Sequence, residues 1–257
     1  MLESLKRWIS RTGAGSDWRA VEEWAQQRGM AFRREREGEG FVIDGRTDEV
    51  AWRLEWGPSQ RHYIEGQELR IRAPLAMSPE LHMLLLPRQL MEVLERETFE
   101  LYTESLQTVI DHHTPEEMRW LVLFQKLPSA ELKSLRGCGF DAVTSSPQGL
   151  KLWAEGPLIR ALQQAVAQWL SPQDRLVLMT LRSRLVLRAE LARPDAQRLA
   201  GLVELFDSAL RALLRMLTAA PDLGGPISTA PVAWSSVFQA TDVAATPAPG
   251  SRDDEDR

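Results

Sequence analysis

The sequence contains very little cysteine. Cys138 is the only cysteine among 257 residues, so the chain has no second thiol with which to form an internal disulfide. The first residues, Met1 to Lys6, lack the long apolar run of a secretory leader. Together these two features predict a protein of the reducing cytoplasm.

Long apolar runs are missing as well. No stretch of about 18 uncharged apolar residues occurs, so we do not expect the chain to cross a bilayer. Near the N-terminus, four apolar residues fall on one side of a short helix whose other side is basic: Leu2, Leu5, Trp8 and Ile9. Such a helix either lies on a membrane surface or packs on the protein body, and packing is the commoner case.

The sequence has no surplus of basic residues. Its 31 lysines and arginines face 36 acidic residues, which gives a formal net charge of -5. Six of the acidic residues and two arginines lie in residues 218–257, which leaves the rest of the chain near neutral. Nucleic-acid binding needs a concentrated basic footprint, so we expect no nucleic-acid partner.

Short catalytic motifs are also absent from the sequence. It contains no Gly-x-Ser-x-Gly, no Walker loop and no Gly-x-Gly-x-x-Gly. Cys138 stands between two glycines, which could expose a nucleophilic thiol, but a lone cysteine is more often a small buried residue. We therefore expect neither a catalytic residue nor a cofactor.

The densest set of metal-ligating residue types lies between residues 111 and 117. It consists of Asp111, His112, His113, Glu116 and Glu117. Imidazole and carboxylate suit zinc or another divalent ion, but adjacent histidines diverge, and no distant cluster supplies further ligands. The alternatives are a metal site and a solvated loop between helices, and we expect the loop and no metal.

What the sequence does have is the alternation typical of strands. Apolar residues occupy every second position from Val50 to Trp56, as in a strand with one buried face. The alternation returns at 69–72 and 185–191. With turn residues between the segments, the pattern predicts a helix from Asp17 to about Arg28 and then an antiparallel meander. The strands of this meander are expected at 31–36, 40–44, 48–56 and 67–73.

Further along, helical spacing alternates with pairs of strands. From about residue 78 the apolar period turns helical, and Pro87 begins a helix that reaches about residue 108. Thr114, Pro115 and Glu117 form a capping box, which predicts a helix over 115–126. Further helices are expected at 129–136, 157–170 and 194–217, and strands at 139–145, 149–154, 175–182 and 184–191. The fold class is therefore α+β, with antiparallel sheets covered by helices and a second half ordered α-β-β-α-β-β-α.

The chain is expected to comprise four segments. An N-terminal helix and link (1–16) precede a first α+β unit (17–110). A second unit (111–218) either stands alone or forms one domain with the first. Residues 219–257 form an acidic tail rich in Ala, Pro, Gly, Ser and Thr, which lacks the apolar density to offset the entropy of ordering. We expect this tail to be disordered.

Three stretches carry a resemblance to a known group of proteins. They are the tryptophan-bearing helix from Trp18 to Gly29, the meander from Phe41 to Trp56 around Gly45-Arg46, and the segment from Thr114 to Leu121. Together they resemble a group of uncharacterised bacterial proteins over most of residues 17–217. The resemblance implies an α+β body and no particular activity, because these motifs are caps, turns and core tryptophans.

Two segments are candidates for partner binding. The long connection at 57–66 carries Arg61, His62 and Tyr63, which offer hydrogen bonds and stacking; alternatively, Tyr63 folds back to seal the end of the sheet. In the tail, Trp234 and Phe238 lie in an apolar island with helical spacing, of the kind that docks in a groove.

These features predict a non-catalytic, cytoplasmic protein-interaction or adaptor module with a protein partner. The alternative is an enzyme or small-ligand-binding protein whose site is assembled from dispersed polar residues.

Overall fold

A computed structural model shows how the chain is built, and it describes residues 18–35, 40–104, 114–124, 126, 127, 135 and 137–223. These residues belong to one compact unit that extends to Pro226. The strands are β1 (Ala31–Arg34), β2 (Phe41–Thr47), β3 (Val50–Pro58), β4 (Gln67–Pro74), β5 (Met83–Pro87), β6 (Phe140–Thr144), β7 (Leu176–Thr180) and β8 (Arg184–Glu190). The helices in this part of the chain are α1 (18–27), α2 (Arg88–Glu104), α3 (Glu116–Leu123), α4 (Pro147–Ala154), α5 (Pro157–Gln168) and α6 (Ala196–Ala219).

All eight strands form one antiparallel sheet in the order β1-β2-β3-β4-β8-β7-β5-β6. The α+β class with helices covering an antiparallel sheet is confirmed. The first four strands form the meander that the alternation predicts. Strand β4 then pairs with β8, so early and late parts of the chain lie side by side.

The meander is held by a close contact between β2 and β3. Gly45 is the register partner of Trp52, whose indole ring crosses the glycine. A Cβ atom at Gly45 would lie 2.3 Å from that ring, so only glycine fits there. The Trp52 indole N–H donates to Thr47 Oγ1 at 2.8 Å, which satisfies the polar end of a buried aromatic side chain.

One face of the sheet is covered by α1, α4, α5 and α6. Its strands contribute their alternate apolar residues, among them Trp52, Leu54 and Ile71, which are almost completely buried. Helix α6 packs on them, and its inward side is buried at Leu199, Leu202, Val203, Phe206, Leu210 and Leu213. The other face is apolar under α2 and α3, where β5, β6, β7 and Val186 of β8 lie. On β3, β4 and β8 that face carries charged residues.

The structure differs from the predicted elements at several places. Residues 83–87 form β5, where helical spacing is expected. Residues 149–154 belong to helix α4, where a strand is expected, because Ser146 caps the helix by accepting from the Gly149 amide and Pro147 stands in its first turn. Helix α3 begins at Glu116 with Pro115 as N-cap and no side-chain capping bond, so Thr114 does not cap it.

Some predicted elements lie outside the described residues. These are the N-terminal helix of residues 1–16, most of the helix expected at 129–136, and the tail from residue 224 onward. The ordered chain extends further than the expected boundary at 218, since α6 reaches Ala219 and a 3-10 turn follows at Pro221–Leu223. None of the helices in the described part of the chain combines the length and apolar character needed to cross a membrane.

Candidate functional site

On the sheet face opposite α1, α4, α5 and α6, the charged residues of β3, β4 and β8 are the main polar feature of the described residues. Because side chains alternate along a strand, the residues between the buried apolar ones of β3, β4 and β8 share this face. Six residues of it are called the arginine face, namely Arg70, Arg72, Arg184, Arg188, Glu55 and Glu68, and Arg53 and Glu190 flank them on the same side of the sheet. Apart from Arg184, the side chains of the arginine face are between 0% and 16% exposed.

Two carboxylates form ion pairs with arginines of the arginine face. Glu55 Oε2 lies 3.5 Å from Arg70 Nη2 and also pairs with Arg72. Glu68 pairs with Arg188 through one oxygen, and its other oxygen accepts the backbone N–H of Gln60 at 2.9 Å. Each glutamate is therefore already committed to more than one donor.

Burial and like charge both act on the arginines of this face. Burial, together with the neighbouring positive charges of Arg72 and Arg188, lowers the pKa of Arg70 from its ordinary value, despite the opposing charges of Glu55 and Glu68. Burial also lowers the pKa of Arg184, and the charges of Arg72 and Arg182 add to the effect. Burial is therefore the largest cause of both shifts, and at Arg70 the charges of the two glutamates outweigh those of the two arginines.

Next to the arginine face, Glu117 of α3 is fully buried between the helix and the β3–β4 loop. Its Oε1 accepts a hydrogen bond from Arg61 Nε at 2.6 Å and from the Tyr63 hydroxyl at 2.5 Å. Burial alone would raise the pKa of Glu117, but the charges of Arg61 and Arg188 and these hydrogen bonds hold it below its ordinary value. Burial and the nearby Glu117 charge raise the pKa of Tyr63 well above its ordinary value. Glu117 therefore stays ionised, and Tyr63 stays protonated, at neutral pH.

Glu116, the residue before Glu117, pairs with three arginines at the surface. Its carboxylate lies 3.5 Å from Arg61 Nη2, 3.7 Å from Arg119 Nη2 and 3.1 Å from Arg182 Nη2. On α3, Val122 and Leu123 follow Arg119 by three and four residues, so they share its side of the helix. Their exposed fractions are 54% and 57%. Arg119, Val122, Leu123 and Arg182 together are called the α3 surface below.

Arg182 is presented by a strained turn. The β7–β8 hairpin has two central residues, Arg182 with φ 48° and Ser183 with φ 59°, both in the left-handed region. The backbones of Leu181 and Arg184 exchange hydrogen bonds of 2.8 and 3.0 Å across the turn. Such two-residue turns favour Asn and Gly, because other residues pay a steric cost there. The side chain of Arg182 is 67% exposed.

A groove lies on the opposite side of the sheet, between α5 and α6. Its volume is about 240 Å³, and its lining includes Trp169, Glu204, Asp207 and Ser208. Asp207 accepts a hydrogen bond from Thr47 Oγ1, and burial raises the pKa of its carboxyl. The groove thus combines an aromatic wall with carboxylates.

The structure brings two of the predicted partner-binding residues together and separates the third from them. Arg61 and Tyr63 both contact Glu117, and Tyr63 and Ile64 are buried in the apolar cluster beneath α2 and α3, which seals this end of the sheet. His62 turns toward α2, where its Nε2 lies 3.0 Å from Glu97 Oε2. Trp234 and Phe238 lie outside the described residues, and partner binding by any of these residues stays a prediction.

The other candidates from the sequence are the thiol of Cys138 and the possible metal ligands between residues 111 and 117. Cys138 is buried, and burial raises the pKa of its thiol, which opposes nucleophilic reactivity. Among the described residues, no group of three or more histidine, cysteine, aspartate or glutamate side chains could hold a metal ion. His112 and His113 are not among those residues, so the expected absence of a metal remains a prediction.

The arginine face was not singled out from the sequence, although a signal for it exists. Arg70 and Arg72, like Arg188 and Glu190, occupy every second position of predicted strands, which places them on the face away from the core. Their meeting requires the pairing of β4 with β8, and local patterns do not contain that pairing.

Comparisons with known proteins add little to this geometry. No protein-family model matches the chain, and no curated protein does. Among solved structures, the chain is similar to the crystal structure of the mycobacterial trehalose monomycolate transport factor A, TtfA, with a TM-score of 0.43 and 9% sequence identity. The match covers 76% of this chain and 94% of that chain, and it is too distant to carry an argument about function.

Proposed function

We propose that the protein is a non-catalytic interaction module whose α3 surface binds an acidic, partly apolar segment of a partner protein. The observation that carries the proposal is the exposure of Val122 and Leu123 one helical turn after Arg119. Arg119 and Arg182 both pair with Glu116 in the first turn of the same helix. Two adjacent exposed aliphatic side chains offer apolar area, and the arginines favour carboxylates at its rim. Glu116 neutralises only part of this positive charge, because it is shared by three arginines.

The protonation of the buried site supports binding rather than catalysis. A general acid or base works best when its pKa lies near the working pH. The pKa of Glu117 is instead held low and that of Tyr63 is held high, so neither group exchanges a proton readily near neutrality. Their contacts fasten α3 to the β3–β4 loop, and they thereby fix the position of the α3 surface.

The strained hairpin also supports this proposal. The left-handed backbone of Arg182 costs conformational energy. The exposed ion pair between Arg182 and Glu116 contributes little stability in return. A residue that is unfavourable for the fold fits a binding role, since strain is tolerated where a side chain serves a function.

A panel of immobilised peptides tests the proposal directly. The peptides pair aspartate or glutamate with leucine or phenylalanine, and they are matched with scrambled, neutral and basic versions. We expect the full-length protein to bind acidic, apolar peptides with micromolar affinity that weakens as salt is raised. The double variant Val122→Ser, Leu123→Ser should lose at least about tenfold in affinity, which corresponds to about 1.4 kcal/mol.

The matched control is the double variant Leu152→Ser, Val166→Ser. These residues are each 37% exposed and lie on α4 and α5, away from α3. The control should bind like the unchanged protein. Equal binding by both double variants, or no preference for acidic peptides, would show that the α3 surface is not the binding site.

A small-ligand-binding function is the second candidate, and the groove between α5 and α6 favours it. Its aromatic wall and carboxylates suit a small cationic or polar ligand. A fragment library screened by protein chemical shifts tests this candidate. Saturable shifts centred on Trp169 and Ser208 would support it, and their absence would leave the interaction module as the better proposal.

A further inference from the structure

Glu116 already contacts both arginines of the α3 surface. Its Oε1 accepts a hydrogen bond from Arg182 Nη2 at 3.1 Å and lies 3.7 Å from Arg119 Nη2. An acidic group that approaches these arginines from outside therefore meets a position that a carboxylate of the chain itself fills.

The hydrogen bonding of Arg119 is incomplete in this arrangement. A separation of 3.7 Å is too long for a hydrogen bond, so the contact of Arg119 with Glu116 is an ion pair alone. The Nε atom of Arg119 is buried and has no hydrogen-bond partner in the described part of the chain. Glu116 therefore hydrogen-bonds Arg182 but not Arg119.

Glu116 keeps another partner if its carboxylate leaves Arg182. Its Oε2 lies 3.5 Å from Nη2 of Arg61, which is itself held by Glu117 through a hydrogen bond of 2.6 Å from Arg61 Nε. A rotation of the Glu116 side chain toward Arg61 would preserve one ion pair and would release Arg182, whose side chain is 67% exposed. The space that Glu116 vacates has the size of a carboxylate.

We infer that Glu116 is an internal competitor for the α3 surface, and that a carboxylate of the partner protein binds Arg182 and Arg119 in its place. This inference rests on the proposed function, because it places the acidic group of the same partner. An exposed ion pair contributes little free energy, so the competition weakens acidic partners only severalfold. A carboxylate that also hydrogen-bonds Arg119 gains a contact that Glu116 does not make, which favours the exchange.

The experiment measures peptide binding to the full-length protein by fluorescence anisotropy. The probes are the tightest acidic, apolar peptide of the panel and its neutral version, in which asparagine and glutamine replace the acidic residues. Glu116→Gln removes the competing carboxylate, so it should tighten binding of the acidic peptide about three- to fivefold, the size of one exposed ion pair. Binding of the neutral peptide should stay unchanged, because a neutral peptide does not displace Glu116.

The matched control is Glu49→Gln. Glu49 lies in the turn between β2 and β3 and also forms an exposed ion pair with an arginine, Arg46, at 2.9 Å. The control removes the same formal charge away from α3, and it should leave both affinities unchanged. A gain in Glu49→Gln equal to that in Glu116→Gln would overturn the inference.

A double-mutant cycle separates competition from the simple removal of a repelling charge. In an Arg182→Ala background, Glu116→Gln should tighten binding of the acidic peptide by less than about twofold, because the main contact under competition is gone. An equally large gain with and without Arg182 would show that charge removal alone is the cause, and competition would be wrong.

The failure of this inference differs from the failure of the proposed function. If the unchanged protein prefers the acidic peptide and Glu116→Gln binds it equally or more weakly, Glu116 is not a competitor, while the α3 surface remains the binding site. If neither protein prefers the acidic peptide to the neutral one, both proposals are wrong.

Discussion

Tyr63 donates a 2.5 Å hydrogen bond from its hydroxyl to Oε1 of Glu117, and both side chains are buried. The two residues are 54 positions apart in the sequence. Their contact joins the β3–β4 loop to helix α3, and Arg61 supplies the opposing charge. Removing either polar partner leaves an ionised or polar group in the interior, so this contact controls the stability of the region that carries the α3 surface.

Tyr63→Phe should destabilise the protein by about 1.5–3 kcal/mol, because it removes a hydrogen bond to a buried charge while keeping the aromatic ring. Urea unfolding measures the loss. His62→Ala is the control next in sequence, and it should change stability by less than about 1 kcal/mol, since its contact with Glu97 is exposed. Equal effects of the two substitutions would show that the buried hydrogen bond does not stabilise the loop.

The free energy of unfolding should fall in acid, because the stabilisation that ionised Glu117 provides is lost when its carboxylate is protonated. Its folded-state pKa is lowered, so between that pKa and the ordinary value of about 4.3 the unfolded chain binds more protons than the folded one. The contribution is complete above the ordinary value, and it is lost as the pH falls through the folded pKa.

The substitution Glu117→Gln should therefore reduce stability at neutral pH and flatten its decline in acid. Unfolding free energies between pH 3 and pH 7 measure both effects. Glu97→Gln, at a partly exposed position, should keep the slope of the unchanged protein. An undiminished slope in Glu117→Gln would mean that other carboxyl groups cause the decline.

Arg182→Gly should stabilise the fold by about 0.5–1 kcal/mol, because glycine adopts the left-handed backbone without steric cost. The same change should weaken binding at the α3 surface. Arg182→Ala removes the same side chain but keeps the strained backbone, so it should weaken binding without stabilising the protein. Thermal unfolding separates the two variants, and a stabilisation by alanine equal to that by glycine would remove strain as the cause.

Trp52→Ala should destabilise the protein by about 3–5 kcal/mol, as expected when a large side chain is removed from a packed core. Trp52 is 2% exposed and lies on β3, an interior strand of the sheet, against Phe206 of α6. Denaturant unfolding provides the measurement. A loss below about 1 kcal/mol, typical of surface sites, would place the indole outside the stabilising core.

The sequence predicts the parts of the fold whose signal is local. Strand β3 is clear from its alternation, because one of its faces is buried and the other is polar. Strand β5 is missed because Leu84, Leu85 and Leu86 are all buried between two covered faces, so the strand does not alternate. Helix α4 is short, and its Ser146 cap and Pro147 are easily read as a turn between strands.

The candidate site is harder to predict, because its residues meet only through the fold. Arg188 and Glu68 are 120 positions apart and become neighbours through the β4–β8 pairing. Glu117 has a simple explanation from sequence as part of a capping box, yet its carboxylate binds Arg61 and Tyr63 instead. The capping-box interpretation therefore gave no indication of the long-range contacts of Glu117.

Chemical-shift mapping on isotopically labelled protein tests the proposed α3 surface most directly. An acidic, apolar peptide from the panel is titrated into the full-length chain, and the backbone amide shifts are followed by residue. We expect the largest saturable shifts at residues 116–123 and 181–184, and the Val122→Ser, Leu123→Ser variant should lose them. Shifts centred on α4 and α5, or none that saturate, would contradict the proposal that this surface binds the partner.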